Sequence, residues 1–358
     1  MSEYLIGKTI KVRETISKMG SYSPPLNNRN PEEYLLMDFN EPPLPLPNKS
    51  IEKIVSLLKS KIHTYPVYQE FLKDLSNYVG VDTDKLLITN GSDQAVDIIF
   101  RCILESGNEV KMVQPGFQMF SQVAGILGCK IDGPQFNSDF TFPHEKLKSS
   151  IDENTRLIVV INPNNPTGTS VSIYQIEDLL KSFPDIPLLI DEAYYEFTGK
   201  TSVSLIKRFP NLIVIRTFSK ALGLPGLRLG YVVANADFIT HLKKIRGPYD
   251  VNIVAVAAAT QQLRHPENWQ SVVKHLLQES KPALVKFFDK NKVKYYANEA
   301  NFLLVEPKDP ILAYNFLKQN KILVRQMKPP ISHTFRMSLR MMPDMKRFFE
   351  VYSRYLNS

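Results

Sequence analysis

Between residues 86 and 233, short apolar runs alternate with stretches in which apolar residues recur every three or four positions. The runs predict strands over 86–89, 109–113, 130–132, 156–161, 187–190, 212–216 and 229–233. They are β-branched or leucine-rich, and most are bounded by Gly, Pro, Asn or Asp. The stretches between them predict helices over 93–105, 117–127 and 173–182. This alternation, with near-continuous apolar strands, is the pattern of a mostly parallel seven-stranded sheet with helices on both faces, an α/β architecture. After Arg246-Gly247-Pro248 the texture changes. Helical periodicity over 253–263 and 272–291 precedes short strand runs at 302–305, 322–324 and 335–338 and a last helix over 344–355. The expected organisation is therefore a large domain over 42–247 and a smaller α+β domain over 248–358. An N-terminal arm, 1–41, has too little periodicity to fold alone and is expected to pack on the smaller domain.

Composition narrows the picture by exclusion. The 358 residues are 43% hydrophobic and 22% charged, ordinary globular usage. The net charge of +8 comes from scattered lysines and arginines, without a basic block that would mark a nucleic-acid or membrane surface. Cys102 and Cys129 are far apart and outside any Cys/His cluster, so neither a disulfide framework nor a structural metal is expected. The opening twenty residues carry acidic side chains and no apolar core of signal-peptide length, and the most apolar run, near 253–259, is too short to span a bilayer. A cytoplasmic location is the expectation.

Four motifs carry candidate chemistry. In Thr217-Phe218-Ser219-Lys220-Ala221 a lysine follows a buried strand inside a turn of small residues. Desolvation and nearby positive charge, which Arg228 can supply, lower a lysine's pKa and make the amine nucleophilic. Asp191-Glu192-Ala193-Tyr194 places a carboxylate at the carboxyl end of a strand, where α/β folds build ligand sites. Asn162-Pro163-Asn164-Asn165-Pro166-Thr167-Gly168 reads as a rigid turn after a strand, whether or not Asn165 also meets a ligand. Asn90-Gly91-Ser92-Asp93-Gln94 opens a helix, where Ser92 or Asp93 serves as a cap or as part of a phosphate cradle.

Taken in order, these motifs resemble the class I/II aminotransferases of fold type I, over nearly the whole chain from about Asp38 onward. The resemblance implies a pyridoxal 5′-phosphate cofactor held as a Schiff base on Lys220, with Asp191 paired to the pyridine nitrogen. It implies Asn165 and Tyr194 at the phenolic oxygen, and Gly91, Ser92, Asp93, Ser219 and Arg228 around the cofactor phosphate. Phe117, in Gln114-Pro115-Gly116-Phe117, falls where the family stacks an aromatic ring on the pyridine face. Tyr65, in His63-Thr64-Tyr65-Pro66, falls where a tyrosine reaches the neighbouring subunit's cofactor, which implies a homodimer.

Within the family the chain is most similar to histidinol-phosphate aminotransferases, through Tyr22-Ser23-Pro24-Pro25, Asp38-Phe39-Asn40-Glu41, Asn301-Phe302 and Leu323-Val324-Arg325 before Phe335-Arg336-Met337-Ser338. That implies histidinol phosphate as amino donor and 2-oxoglutarate as acceptor, in histidine biosynthesis. Arg336 and Arg325 are then the candidates for the substrate's phosphate or carboxylate, with Tyr22 and Asn252 lining the entrance. An aromatic-amino-acid aminotransferase, or a decarboxylase of a phosphorylated amino acid, would use nearly the same residues. A cofactor-sensing transcription regulator is disfavoured, since no helix-turn-helix or basic recognition segment stands out.

Overall fold

The computed structural model describes residues 10–27, 29–297 and 299–358. Its main feature is a seven-stranded sheet in the order Leu86–Thr89, Gly230–Ala234, Leu212–Thr217, Leu188–Asp191, Thr155–Ile161, Glu109–Met112 and Lys130–Asp132. Gly230–Ala234 runs antiparallel to both its neighbours, and the remaining pairs are parallel. All seven predicted strands are present, with ends displaced by no more than a residue.

The two faces follow from the two-residue repeat of a strand. Leu189, Ile213 and Ile215 face one way, against Ile98, Ile99, Phe120, Ile239 and Leu242. Leu188, Ile190, Leu212 and Val214 face the other, against Ile176, Leu179 and Leu180 of the helix Ile173–Ser182. That helix starts on a capping box: the Ser172 hydroxyl accepts from the Gln175 N–H, and the Gln175 side chain accepts from the Ser172 N–H.

A second, four-stranded antiparallel sheet has the order Arg325–Gln326, Phe335–Ser338, Phe302–Glu306, Lys294–Tyr296. The helix Met342–Leu356 supplies Phe348 and Tyr352 to its core. The single helix expected over 272–291 is instead divided into Glu267–His275, a π-helical turn Leu276–Ser280, and Lys281–Lys290. Pro282 explains the division, because its ring lacks an N–H and crowds the preceding turn, which widens to accommodate it.

In the arm, Leu35–Leu36 pairs in parallel with Ile322–Leu323 of the C-terminal region. Earlier residues lie against the large sheet's helices: Arg13 Nη2 donates to the Ile126 carbonyl at 3.1 Å, and Met19 packs on Gly125. The arm thus touches both parts of the molecule. No helix among the described residues is long and apolar enough to cross a membrane.

Candidate active site

The sheet register decides where the chemistry collects. Asp191 ends its strand opposite Ile161 and Ile215, and Gly230 lies opposite both Thr89 and Thr217. The segments after Thr89, Ile161, Asp191 and Thr217 therefore leave the sheet at one edge, and all four motifs meet there.

One end of the candidate site gathers groups of the kind that could hold an anion. The helix Gly91–Ile103 points its N-terminus into it, where the free N–H groups and the helix dipole favour negative charge. Arg228, in the left-handed region at φ 55°, donates from Nη2 to Asp93 Oδ2 at 2.7 Å and from Nη1 to the Pro225 carbonyl at 3.2 Å. Gly91 has φ 76°, and a Cβ on it would stand 2.7 Å from Arg228 Nη2. Gly230 is tighter still: a Cβ there would lie 2.6 Å from the Ser92 nitrogen and 2.7 Å from the Gly91 carbonyl carbon. Both glycines are required for the helix to sit this close to the strand and the guanidinium. Ser219 joins these groups through Thr217, whose Oγ1 accepts from the Ser219 N–H at 3.1 Å and donates to Ser219 Oγ at 3.0 Å.

The middle of the cleft holds Lys220, Asp191 and Tyr194. Lys220 Nζ donates to the Phe39 carbonyl at 3.0 Å and lies 5.9 Å from the centre of the Tyr194 ring. Burial, reinforced by Arg336, brings the Lys220 amine down to about 8. Asp191 is buried, and its Oδ1 accepts the Ala193 N–H at 3.0 Å. Burial pushes its carboxyl up to about 7, with Asp93 and Glu192 adding to the effect. Such a carboxyl is ready for a cation it can accept into a dry site. Tyr194 is also buried, which raises its phenol, and its oxygen accepts from Asn40 Nδ2 at 2.9 Å. Phe117 stands at the start of the helix Gln118–Leu127, edge-on to Phe120 with ring centres 6.4 Å apart.

At the far end, Arg336 bonds Asn165 Oδ1 through Nη1 and the Asp38 carbonyl through Nη2, the latter at 2.6 Å. Its Nε is buried without a partner, as is Arg325 Nη1. Burial and the nearby Arg325 hold the Arg336 guanidinium below its ordinary pKa, against the pull of Tyr194. Arg325 and Arg336 are register partners on adjacent strands. Tyr22 is partly buried and close enough to act on the charge of Arg336. Two expected residues stand differently. Asn252 caps the helix Ile253–Arg264 through Oδ1 and donates from Nδ2 to the Leu227 carbonyl at 3.2 Å. Tyr65 is 74% exposed and stacks on Tyr249 at 4.3 Å.

Two contributions lie within or beside the quoted motifs without a role having been assigned to them. Asn40, with φ 56°, not only bonds Tyr194 but exchanges hydrogen bonds with Ser338 and accepts from Asn301 through its carbonyl. The only local hint is that asparagine tolerates the left-handed conformation. Behind Asp191, Glu192 and Arg216 form a fully buried ion pair at 2.9 Å, and Arg216 lies 3.6 Å from the centre of the Tyr195 ring. Ser202 N–H and Thr201 Oγ1 satisfy the rest of Glu192. Removing either partner would strand a buried charge, so the pair fixes the backbone that carries Asp191 and Tyr194.

An enclosed amine brought near neutrality, a carboxyl without a cationic partner, a helix N-terminus packed close beside Arg228 and orphaned guanidinium nitrogens fit a phosphorylated aromatic aldehyde cofactor. They do not fit a metal: among the described residues no group of His, Cys, Asp and Glu is placed to hold one.

Comparison with known proteins defines the class. The family model for aminotransferase class I and II matches residues 32–349, and the chain belongs to that family, whose members are pyridoxal-phosphate-dependent aminotransferases. Among its relatives, the histidinol-phosphate aminotransferase of Thermoanaerobacter sp. strain X514 is 34% identical over 295 residues, 81% of this chain and 83% of that protein. The histidinol-phosphate aminotransferase of Ruminiclostridium cellulolyticum is 29% identical, covering 90% of this chain and 92% of its own. In fold, the chain is similar to the histidinol-phosphate aminotransferase of Sinorhizobium meliloti in complex with pyridoxal-5′-phosphate, with TM-score 0.88, 21% identity, and 97% and 98% of the two chains covered. The L-threonine-O-3-phosphate decarboxylase of Porphyromonas gingivalis has TM-score 0.78 and 22% identity, with 90% and 100% covered.

Proposed function

We propose that this chain transfers the amino group of L-histidinol phosphate to 2-oxoglutarate, as a cytoplasmic homodimer in histidine biosynthesis. The observation that carries the reading is the pair Arg325 and Arg336, two guanidinium groups with buried unpartnered nitrogens at the end of the cleft opposite the phosphate cradle. A second anionic group, on the donor or on the acceptor, is what such a pair is built to receive.

The cofactor, when bound, supplies an aldehyde and an electron-withdrawing ring that takes up the charge left at the donor's Cα. Gly91, Ser92, Asp93, Ser219 and Arg228 would hold its phosphate, Phe117 would stack on its ring, and Asn165 and Tyr194 would reach its phenolic oxygen. Asp191 would pair with the ring nitrogen, a contact that brings the buried carboxyl into its ionised form. Lys220 would hold the aldehyde carbon until the donor amine takes its place. Its freed amine would then take the proton from the donor's Cα. Tyr22 and Asn252 would bound the entrance.

The dimer is supported by Tyr65, exposed and followed by exposed Val67, and by Ile51, Val55 and Ile62 on the preceding segment, an apolar surface of the kind that proteins cover. In the dimer Tyr65 reaches the partner's cofactor phosphate. The two cysteines, Cys102 and Cys129, are both free, in keeping with a reducing compartment.

Turnover of histidinol phosphate, phenylalanine and threonine phosphate, each with 2-oxoglutarate, tests the donor. Histidinol phosphate should lead in kcat/KM by at least about tenfold, given the strength of charge-assisted hydrogen bonds. Preference for phenylalanine would overturn the donor, and carbon dioxide release from threonine phosphate would overturn the reaction.

A further inference from the structure

Asp38 and Glu41 lie in the segment that lines the far end of the cleft, within electrostatic reach of Arg336 and Lys220 respectively. Neither carboxylate pairs with them. Arg29, from the N-terminal arm, takes both. Its Nε donates to Asp38 Oδ2 and its Nη2 to Asp38 Oδ1, each at 2.8 Å, while Nη1 donates to Glu41 Oε1 at 3.2 Å and Nη2 also meets Glu41 Oε2. These bonds hold the Arg29 guanidinium above its ordinary pKa, against the burial that lowers it.

The same short segment spends its backbone differently. The Asp38 carbonyl accepts from Arg336 and the Phe39 carbonyl from Lys220. The Phe39 ring has Arg29 over it at 4.5 Å and Arg325 at 5.2 Å from its centre. Residues 38–41 thus sort charge: the carboxylates go to Arg29, and the cations of the cleft receive from this segment only carbonyls and an aromatic face. Among the described residues no carboxylate lies within ion-pair distance of Arg325 or Arg336. The planar guanidinium fork meets Asp38 with two parallel bonds while its other edge faces Glu41, a geometry that the point charge of a lysine does not reproduce.

We propose that Arg29 is a specificity-determining residue: by occupying Asp38 and Glu41 it keeps Arg325 and Arg336 unpaired for an anionic group on the amino donor. Without it, Asp38 is left free beside Arg336 and Glu41 beside Lys220, and the anionic end of the donor must compete with the freed carboxylates. The inference rests on the reading that these two arginines receive the donor's anionic end.

The test compares cofactor-loaded wild type with Arg29→Met and with the triple variant Arg29→Met/Asp38→Asn/Glu41→Gln. Inorganic phosphate is titrated calorimetrically onto each, the cofactor's own phosphate site being already filled. KM is measured with histidinol phosphate and with L-histidinol, the same donor without its phosphate. Arg29→Met should weaken phosphate binding and raise KM for histidinol phosphate by about tenfold, from one charge-assisted hydrogen bond lost to competition. Its KM for L-histidinol, which carries neither phosphate nor carboxylate, should not rise, because that donor has no anionic end. The triple variant, which removes the carboxylates along with their partner, should recover wild-type phosphate affinity. Unchanged phosphate affinity in Arg29→Met overturns the proposal, and so does failure of a folded triple variant to recover it. Should Arg29→Met not fold, the triple variant against wild type decides by the same criterion. If histidinol phosphate is not a substrate but the phosphate titrations run as stated, the donor reading falls and the role of Arg29 stands.

Discussion

Replacing Lys220 with methionine should make the cofactor-free protein more stable at neutral pH. The amine is brought from 10.5 down to about 8 by burial, with the charge of Arg336 next in size. At about 1.36 kcal/mol for each tenfold change in proton affinity, keeping the folded protein's lysine charged costs about 3 kcal/mol, which partial solvent contact reduces to roughly 2–3. The sign follows from proton counting. Between about pH 8 and 10.5 the unfolded chain binds more protons at this site than the folded one, so wild-type stability rises with pH across that window. Below it the cost is constant. Methionine of similar length removes the charge and keeps the apolar contact with the cleft walls, while the lost bond to the Phe39 carbonyl offsets part of the gain equally at every pH. Guanidinium unfolding of both cofactor-free proteins should therefore show the variant ahead by up to roughly 2–3 kcal/mol near pH 7 and by about 1 kcal/mol or less near pH 10, the groups common to both cancelling in the difference. A variant that is less stable than wild type near pH 7, or a gap that does not narrow with pH, would refute the argument that enclosure tunes this amine. The stabilised variant has no nucleophile, so the gain comes with loss of activity, as expected where a site is strained for function.

Other consequences follow from the same geometry. Asp191→Asn should lower kcat about a hundredfold or more, because the amide cannot pair as an anion with a protonated ring nitrogen, and steady-state rates with saturating donor will show it. In the cofactor-free protein, burial keeps Asp191 protonated up to about 7 against 3.8 for the ordinary carboxyl. The unfolded chain binds fewer protons there across that range, so this site lowers wild-type stability as pH rises through it, and the asparagine variant should lack that component in unfolding curves at stepped pH. Gly230→Ala should cost about 1–3 kcal/mol of stability, because its Cβ meets backbone that cannot move aside, and should weaken cofactor retention in equilibrium dialysis.

How far the sequence reveals all this depends on how local each signal is. The strand Thr155–Ile161 is readable because a strand buried on both faces must be apolar nearly throughout, and the helix Ile173–Ser182 because its cap is written in Ser172 and Gln175. The helix Asn48–Lys61 is absent from the predicted elements although Ile51, Ile54, Val55 and Leu58 recur at helical spacing, and of that stripe Ile51 and Val55 are exposed. The π-helical turn depends on one proline inside an otherwise continuous pattern. At the site, Lys220, Asp191, Asn165 and Gly91 announce themselves because each sits in a turn whose residue types are constrained within a few positions. Asn40 and Arg29 do not, because their partners Tyr194, Ser338, Asp38 and Glu41 are chosen by the path of the chain rather than by spacing. Gly230 is legible only once register puts it against Ser92.

The most direct test is a half-reaction on the purified, cofactor-loaded protein: add L-histidinol phosphate alone and follow the absorbance band of the lysine-bound cofactor. The account predicts rapid loss of that band with pyridoxamine phosphate appearing, and its return on adding 2-oxoglutarate. A band that persists with histidinol phosphate yet disappears with another amine would contradict the proposed donor, and a protein that shows no such band after loading with pyridoxal phosphate would contradict the role of Lys220 itself.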